Sequence, residues 1–531
     1  MNTKQKIGQR IALGFSGTKV GEGLRRLVGE YKAGNIILFQ RNLESASQTK
    51  ALCDELQELV QTETGEAAFI AIDQEGGAVV RLPPDMVNTP GAMALAASGK
   101  PVNAALAAQI TAAELWRIGV NLNLAPVLDV NCNPDNPVIG NRSFSPIPEE
   151  AAIFAYAAIK AFEEAGLMCC GKHFPGHGDT AVDSHLDLPM VDLNLTELER
   201  RELVPYHAAI EAGIPAIMTS HILFPQIEPE GFPATVSAKI LRGLLRERLG
   251  FRGLILSDAM EMEAIKTHYG MPSGCIEALA AGVDIIYLCH EMPEVEESLK
   301  AIYSAYDAGR FNAKEFDASV ERVLRHKAKY AAFGQSGTIS PGADKNDKAF
   351  FDETIKRRRE QNAVLTQSTL APREYGKAPP PFGPKPFFVG PLAYRSTNAS
   401  STPLPSLSFG RWFAERFGGN FAETPLNPDA AEIKQIASLP HASSIVMGTY
   451  NGHLNQGQMD LVSALCGVAE NRGIPFLVFA LRNPWDLYQL PEGAYGLALW
   501  EYSEKSFEAV AALYRREAEL EGRLPEIGRS G

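Results

Sequence analysis

Short apolar segments alternate with longer helix-like segments through about the first 330 residues, and this alternation limits the fold more than any other feature of the chain. The apolar segments are IALGF from Ile11, NIILF from Asn35, AFIAI from Ala68, NLNLA from Asn121, GLMCC from Gly166, PAIMTS from Pro215, GLILS from Gly253 and VDIIYLC from Val283. The segments between them, such as VNAALAAQITAAELWRIG and AAIFAYAAIKAFEEAG, are typical of helices. About eight strand–helix units predict an α/β protein with an N-terminal (β/α)₈ TIM-type barrel.

The alternative to a barrel is an open, doubly wound sheet. None of the eight segments is followed by a G-x-G-x-x-G fingerprint, which weakens a dinucleotide-binding interpretation. Polar residues favour the barrel, because they fall at or just after the ends of four different predicted strands. These residues are Asp73, Lys172, His173, His221 and Asp258. A barrel gathers such strand ends on one face, where active sites form.

A different pattern begins after Gly334. Residues 335–347 are polar and contain Gly and Pro, IKRRREQNAVL predicts a helix, and YGKAPPPFGPKP is typical of a semi-rigid linker. The segments FFVG, SIVMG, FLVFAL and YGLALW then alternate with helical stretches. We therefore predict a barrel domain over residues 1–340, a linker and connecting helix over 341–385, and a smaller α/β sandwich domain over 386–531.

Charge and cysteine content exclude several classes of protein. The net charge is −13 and the pI is about 5.4, which argues against a general nucleic-acid binder and against docking on anionic lipid. The seven cysteines form no CxxC pair, so neither a disulfide framework nor a structural zinc site is expected. The N-terminal segment resembles neither a signal peptide nor a membrane span, and we expect a reduced, cytoplasmic protein.

The segment KHFPGHGDTAVDSHLDLP, from Lys172, is rich in histidine, aspartate and glycine and follows a predicted strand. It reads as a metal site, a polar surface loop or a mobile catalytic loop in which Gly176 and Gly178 supply backbone freedom. Asp183 and His185 are two residues apart, so their side chains point the same way in an extended segment. A carboxylate beside an imidazole favours the protonated form, which predicts a proton-transfer dyad.

Two further segments carry carboxylates at strand ends. Asp258 ends GLILS and is interpreted either as a helix N-cap or as a nucleophile aimed into the barrel mouth, with Glu261 and Glu263 as nearby alternatives on the following helix. Asp73 ends AFIAI and is interpreted as a turn residue or as a ligand for sugar hydroxyls. Arg81 and Arg142 fit the same sugar pocket, and the alternative for Arg142 is a surface ion pair.

Seven stretches in the first 330 residues resemble glycoside hydrolase family 3, in the bacterial β-N-acetylglucosaminidase branch. They are GNIILFQRN, AIDQEGGAVVRL, LNLAPVLDVNCNP with IGNRSF, KHFPGHGDT with DSH, IMTSHILFP, FPATVS and LGFRGLILSDAMEM. The tail resembles the αβα sandwich of the family through LRNPWDL and EGRLPEI. Many relatives have a second Asp after the nucleophile, where this chain has Ala259.

The resemblance implies a role for each matching residue. Asp258 is the expected nucleophile, and His185 is the expected acid/base, supported by Asp183. The residues expected to bind the terminal sugar are Asp73, Arg81, Arg142, Lys172 and His173, with His221 close to the site. No cofactor and no metal are implied.

The expected function is a retaining exo-β-N-acetylglucosaminidase that acts on muropeptides or chitooligosaccharides through a covalent glycosyl-aspartate. A β-N-acetylglucosaminide phosphorylase remains an alternative, because a histidine acid/base does not repel phosphate, and a β-glucosidase-type exo-glycosidase is a second. A catalytically inactive sugar-binding protein is the alternative from another class. We expect a small carbohydrate as partner and neither nucleic acid nor membrane; a homodimer is left open. The second domain could shape the site, mediate dimerisation or stabilise the barrel.

Overall fold

The structure is a computed structural model that describes residues 1–180, 188–290, 292–331, 348–394, 400–401, 407–438 and 441–526. Within these ranges the chain forms a closed parallel barrel followed by a separate mixed sheet. Helices surround the barrel and cover both faces of the sheet. This arrangement confirms the predicted TIM-type barrel with a smaller sandwich domain.

The barrel strands follow one another around the ring in chain order, and the last strand pairs with the first. They are β1 (Ile11–Leu13), β2 (Asn35–Leu38), β3 (Phe69–Ile72), β4 (Leu122–Asn123), β5 (Met168–Phe174), β6 (Ala216–Thr219), β7 (Leu254–Ala259) and β8 (Ile285–Leu288). Each of the eight apolar segments overlaps one strand. Most of the strands read as short apolar runs because parallel barrel strands are buried on both faces.

Helices cover the outside of the barrel. They are α1 (Thr3–Gly8), α2 (Glu22–Tyr31), α3 (Ala46–Thr64), α4 (Ala92–Ala97), α5 (Pro101–Arg117), α6 (Pro148–Glu164), α7 (Leu195–Arg200), α8 (Val204–Glu211), α9 (Glu263–Tyr269), α10 (Met271–Ala281), α11 (Met292–Asp307) and α12 (Ala313–His326). Lys239–Arg248 and Lys327–Ala331 are π-helical. One apolar cluster fills the barrel interior, around Phe69, Met168 and Leu256, and a larger cluster packs the strands against the helices.

The second sheet has the order β11-β10-β12-β13-β14-β9, with β9 antiparallel to β14 and the other pairs parallel. The strands of this sheet and the helices of the same part of the chain are α13 (Lys348–Thr369), β9 (Ala371–Pro372), β10 (Pro386–Pro391), α14 (Phe409–Phe417), β11 (Asn420–Thr424), α15 (Ala430–Ala437), β12 (Ser444–Thr449), α16 (Gln456–Arg472), β13 (Phe476–Ala480), β14 (Ala494–Ala498) and α17 (Glu504–Tyr514). The edge strand β9 lies in the segment interpreted from the sequence as the connection between the domains.

Alternate residues of the central strands point to opposite faces of this sheet, which gives the domain two cores. Val389 belongs to the cluster that contains α15 and α16, whereas Phe388 belongs to the cluster that contains α14 and α17. Met93 on α4 packs into the first of these clusters, so a helix of the barrel contributes to the core of the second domain. Among the helices that the structure describes, we find none with an apolar stretch long enough to span a bilayer.

Candidate active site

A cavity of about 570 Å³ opens at the C-terminal ends of the barrel strands. The predicted site residues that line it are Asp73, Arg81, Arg142, Lys172, His173 and Asp258. Its volume lies within the range of small-molecule sites, and its lining combines apolar side chains with a few charged groups. The barrel therefore brings together residues from separate segments of the chain between Asp73 and Asp258.

Two carboxylates and two cations form a buried network on one side of the cavity. Lys172 Nζ lies 2.7 Å from Asp73 Oδ1 and 2.6 Å from Glu75 Oε1. Arg142 binds Glu75 through two parallel hydrogen bonds, Nε to Oε2 at 2.9 Å and Nη2 to Oε1 at 2.8 Å. Arg142 is thus part of a buried network and does not form the surface ion pair considered as its alternative.

Burial and charge act in opposite directions on this network. Burial alone would raise the pKa of Glu75, but the charges of Arg142 and Lys172 outweigh it and hold that pKa well below its ordinary value. Burial would lower the pKa of Lys172, but Asp73 and Glu75 raise it above its ordinary value. Glu75 and Lys172 therefore stay charged near neutral pH and present fixed charges to a ligand.

Asp129 organises the histidines at the base of the predicted catalytic loop. It accepts a hydrogen bond from the backbone N–H of His173 at 3.1 Å and from that of His177 at 2.8 Å, and its Oδ2 lies 2.7 Å from His173 Nδ1. Burial, followed by the charge of His173, lowers the pKa of His177 to about 4. His177 is consequently neutral near neutral pH.

Asp258 lies near the end of β7, and its carboxylate faces the cavity. Its Oδ1 accepts a hydrogen bond from the backbone N–H of Ala259 at 2.7 Å. The next helix, α9, begins at Glu263 with Met262 at its N-cap, so Asp258 does not cap it. Glu261 and Glu263 also line the cavity, and Glu261 lies in the turn before α9 rather than on the helix.

His221 lies beside the strand that carries Asp258. Its Nδ1 is 2.8 Å from Thr235 Oγ1, and its Nε2 is 3.0 Å from the carbonyl oxygen of Ala259. This second contact holds the backbone next to Asp258. The placement fits a role in positioning the site, and direct sugar binding by His221 stays a prediction.

The first half of the loop is tightly packed. A Cβ added at Gly178 would lie 1.6 Å from the carbonyl oxygen of Val130, so glycine is required here by close approach rather than for freedom of motion. A Cβ at Gly176 would lie 2.4 Å from Glu202 Oε2, and the Gly176 φ of +153° also disfavours a side chain. Asp183 and His185 lie outside the described residues.

Glu202 is a buried carboxyl beneath this part of the loop. Arg201 bridges Glu202 Oε1 at 2.9 Å and Asp179 Oδ2 of the loop at 2.6 Å. Burial raises the pKa of Glu202 to about 7, against the charge of Arg201. Glu202 Oε2 is buried and makes no hydrogen bond to the described residues.

The second domain reaches the cavity through Ser400 and Ser401. Ser400 lines it, and Ser401 Oγ accepts hydrogen bonds from the backbone N–H of Val80 at 2.7 Å and from Arg81 Nη1 at 3.2 Å. Asn141, next to Arg142, is likewise bound to the second domain through the backbone carbonyl of Trp500 at 2.6 Å. Of the three roles considered for this domain, shaping the site therefore has direct contacts in its favour.

Glu75, Asp129 and His177 were not identified as site residues from the sequence. Glu75 is two residues after Asp73, and in an extended segment after a strand end such residues share a face. Asp129 occupies an equivalent place shortly after β4 in LNLAPVLDV. Polar residues shortly after a strand could thus have been predicted as site residues. Nothing in the sequence indicated that Ser401 contacts the site.

Comparison with known proteins identifies the family. The N-terminal domain of glycosyl hydrolase family 3 matches residues 2–326. Beta-hexosaminidase A of Pseudoalteromonas piscicida is 34% identical over 367 residues, which cover 62% of this chain and 61% of that protein. Beta-hexosaminidase of Nitrosomonas eutropha is 33% identical over 309 residues, which cover 56% of this chain and 87% of that protein.

A solved structure resembles the whole chain. The glycoside hydrolase family 3 β-N-acetylglucosaminidase of Paenibacillus sp. str. FPU-7 superposes with a TM-score of 0.88 at 33% identity, over 99% of this chain and 98% of that one. Both domains of the present structure are therefore shared with that protein. With the family match over more than half of its length, the chain belongs to glycosyl hydrolase family 3.

Proposed function

We propose that the chain is a glycoside hydrolase of the β-N-acetylhexosaminidase type that removes terminal β-linked N-acetylglucosamine. The observation that carries the proposal is the placement of Asp258 at a strand end in a cavity lined by fixed charges. The names of the related proteins, β-hexosaminidase and β-N-acetylglucosaminidase, support the choice of sugar. Fixed carboxylates and cations suit the hydroxyl groups of a terminal sugar.

In the proposed mechanism Asp258 attacks the anomeric carbon while an acid donates a proton to the departing glycosidic oxygen. This step breaks the glycosidic bond and forms a glycosyl-aspartate ester. A water molecule then attacks the anomeric carbon, gives a proton to the same group acting as base, and releases Asp258. The product keeps the configuration of the substrate.

We assign the acid/base role to His185, supported by Asp183. The assignment rests on the DSH motif of the loop, since both residues lie outside the described part of the chain. His177 is a poor candidate for the acid, because burial lowers its pKa to about 4 and leaves it without a proton to donate near neutral pH. His173 is already bound to Asp129, which fits a binding role.

Water is the proposed acceptor rather than phosphate. Lys172 and Arg142 are paired with Asp73 and Glu75, so these two cations carry little free charge to attract a phosphate ion. Muropeptides and chitooligosaccharides are the proposed natural substrates, because both carry terminal N-acetylglucosamine. The second domain closes one side of the cavity at Ser400, which suits action on a chain end.

A cytoplasmic location is part of the proposal. It is supported by the seven cysteines, all of which are free in the structure and six of which are buried. A homodimer, left open by the sequence, is not part of the proposal.

Product analysis tests the proposed function directly. The full chain is incubated with 4-nitrophenyl N-acetylglucosaminide or 4-nitrophenyl glucoside, with and without phosphate. We expect free N-acetylglucosamine as the product and a higher kcat/KM for the N-acetylglucosaminide, because a missing acetamido group leaves buried polar groups unpaired at about 1–3 kcal/mol each. Equal rates on both substrates would contradict the substrate, and sugar 1-phosphate as the main product would establish a phosphorylase instead.

A further inference from the structure

Three side chains with metal-binding atoms form one part of the cavity wall. Glu261, Cys289 and His290 each offer one ligand atom, and these atoms all lie within 4.8 Å of one another. We propose that these three residues, called here the rim cluster, bind Zn²⁺ or another thiophilic divalent cation, and that the bound cation inhibits the enzyme. The inhibition rests on the proposed function, whereas the binding does not.

The barrel fixes the position of the rim cluster. Glu261 lies in the turn after β7, and Cys289 and His290 directly follow the neighbouring strand β8. The backbone N–H of Cys289 donates a hydrogen bond to Glu261 Oε1, and the same oxygen lies 3.3 Å from His290 Nδ1. The carboxylate is therefore held against both other residues before any cation binds.

One carboxylate oxygen of the rim cluster has no partner among the described residues. Glu261 Oε2 is buried without a hydrogen bond, and the Glu261 side chain is only 9% exposed. A buried polar atom without a partner costs free energy. A cation beside this oxygen would supply the missing interaction. The unpartnered oxygen therefore supports a cation site independently of the closeness of the three side chains.

The donor set selects the kind of cation. One thiolate, one imidazole and one carboxylate suit Zn²⁺ and Cd²⁺, whereas Mg²⁺ and Ca²⁺ prefer oxygen ligands alone. On binding, the Cys289 thiol gives its proton to solvent and the thiolate becomes a ligand, and Nδ1 of His290 gives up the hydrogen that faces Glu261 and binds through its lone pair, with the ring hydrogen on Nε2. Three protein ligands leave a fourth position of a tetrahedral site open to water.

A nearby cation limits the affinity. Arg41 donates a hydrogen bond to the carbonyl oxygen of Cys289 at 2.7 Å, so its guanidinium lies close to the rim cluster. Its charge repels a bound cation, and burial together with the charges of Glu261 and Asp258 raises the pKa of the Cys289 thiol well above its ordinary value. We therefore expect weaker binding than at a structural zinc site with four protein ligands, as suits a reversible inhibitory site rather than a catalytic cofactor.

The rim cluster and Asp258 line the same cavity. A bound cation and its water ligand would occupy room that the substrate needs. The expected inhibition is competitive, with a raised apparent KM and an unchanged kcat.

Cadmium absorption tests binding without reference to activity. The chelator-treated full chain is titrated with Cd²⁺, and the ultraviolet thiolate-to-Cd²⁺ charge-transfer band is followed. We expect about one equivalent to bind the native chain and the control variant Cys132→Ser, which removes the one cysteine that is not buried. Cys289→Ser should lose the band, and an undiminished band in this variant would overturn the proposal.

A second variant covers the case in which the buried Cys289 does not tolerate substitution. His290 is 47% exposed, so His290→Ala should fold normally, as circular dichroism will show. Its affinity for Cd²⁺ should fall about tenfold or more, because one of three ligands is lost. An unchanged affinity would also overturn the proposed site.

Inhibition is measured with 4-nitrophenyl N-acetylglucosaminide, each variant against its own rate without cation. Zn²⁺ should inhibit the native chain and Mg²⁺ should not at the same concentration, and His290→Ala should raise the Zn²⁺ inhibition constant about tenfold or more. Equal inhibition constants would contradict the inhibitory role. A native chain that is inactive on this substrate would contradict the proposed function, while cadmium absorption would still decide whether the site exists.

Discussion

Arg81 of the barrel donates a hydrogen bond from Nη1 to Ser401 Oγ of the second domain at 3.2 Å. The same hydroxyl accepts a hydrogen bond from the backbone N–H of Val80, and the Ser401 backbone N–H donates to the carbonyl oxygen of Ala78 at 3.1 Å. The second domain therefore holds a lining residue of the cavity in place, and its contribution to activity can be measured at one side chain.

Ser401→Ala should lower kcat/KM about five-fold, which corresponds to the loss of the hydrogen bond that positions Arg81, worth about 1 kcal/mol. Steady-state kinetics on 4-nitrophenyl N-acetylglucosaminide measure the change. Ser438→Ala is the control, because Ser438 is an exposed serine of the same domain that contacts only its own helix turn in the described structure. Equal kinetics for the two variants would show that Ser401 does not position Arg81.

Asp258→Ala should lower kcat by several orders of magnitude, since the covalent intermediate of the proposed mechanism forms on the Asp258 carboxylate. A slow 2-acetamido-5-fluoro glycosyl donor should label a peptide that contains Asp258, as peptide mass spectrometry will show. Labelling of Glu261 or Glu263, which line the same cavity, would instead identify one of them as the nucleophile.

His185→Ala should slow substrates with poor leaving groups much more than activated aryl glycosides, because an activated leaving group needs little protonation. Asp183→Ala should change both rates in the same direction but less severely. A series of aryl glycosides of graded leaving-group pKa gives the comparison. Parallel losses across the series would assign His185 to binding rather than to proton transfer.

Glu75→Gln should destabilise the fold by about 3–5 kcal/mol, because it leaves Lys172 and Arg142 buried without a full countercharge. Urea unfolding measures the loss. Glu30→Gln is the matched control, since Glu30 forms an exposed ion pair with Arg26 at 3.2 Å and should lose no more than about 1 kcal/mol. A similar loss in both variants would mean that the buried network adds little stability.

The barrel was predictable because its strands are largely buried on both faces and most of them read as short apolar runs. The two edge strands of the second sheet were missed. β11 (Asn420–Thr424) is largely exposed, and β9 (Ala371–Pro372) is a two-residue strand that contains proline, so neither lies in a distinct apolar segment. The sequence pattern therefore located the strands of the barrel and the central strands of the second sheet but not its edges.

The site was predictable where a polar residue ends a strand, as at Asp73 and Asp258. It was not predictable where a contact joins distant segments. Glu75 lies 67 residues from Arg142 along the chain, and Arg81 lies 320 residues from Ser401. Such partners become neighbours only when the barrel closes and the second domain docks. Local sequence patterns do not predict either contact.

Glu202 should make the stability of the fold depend on pH. Burial raises its pKa from 4.5 to about 7 in the folded chain, so the folded state binds more protons than the unfolded state between these values. Protonated Glu202 contributes its full stabilisation below pH 4.5, the pKa of this carboxyl in the unfolded chain. The contribution is lost as the pH rises through about 7, the pKa of the carboxyl in the folded chain. Glu202→Gln carries a neutral amide and lacks this dependence, so the variant should gain up to about 3 kcal/mol relative to the native chain between about pH 4 and pH 8. Urea unfolding of both proteins across this range isolates the effect, because all other groups titrate in both. Parallel stability curves would show that Glu202 is ionised throughout and that Arg201 alone compensates its burial.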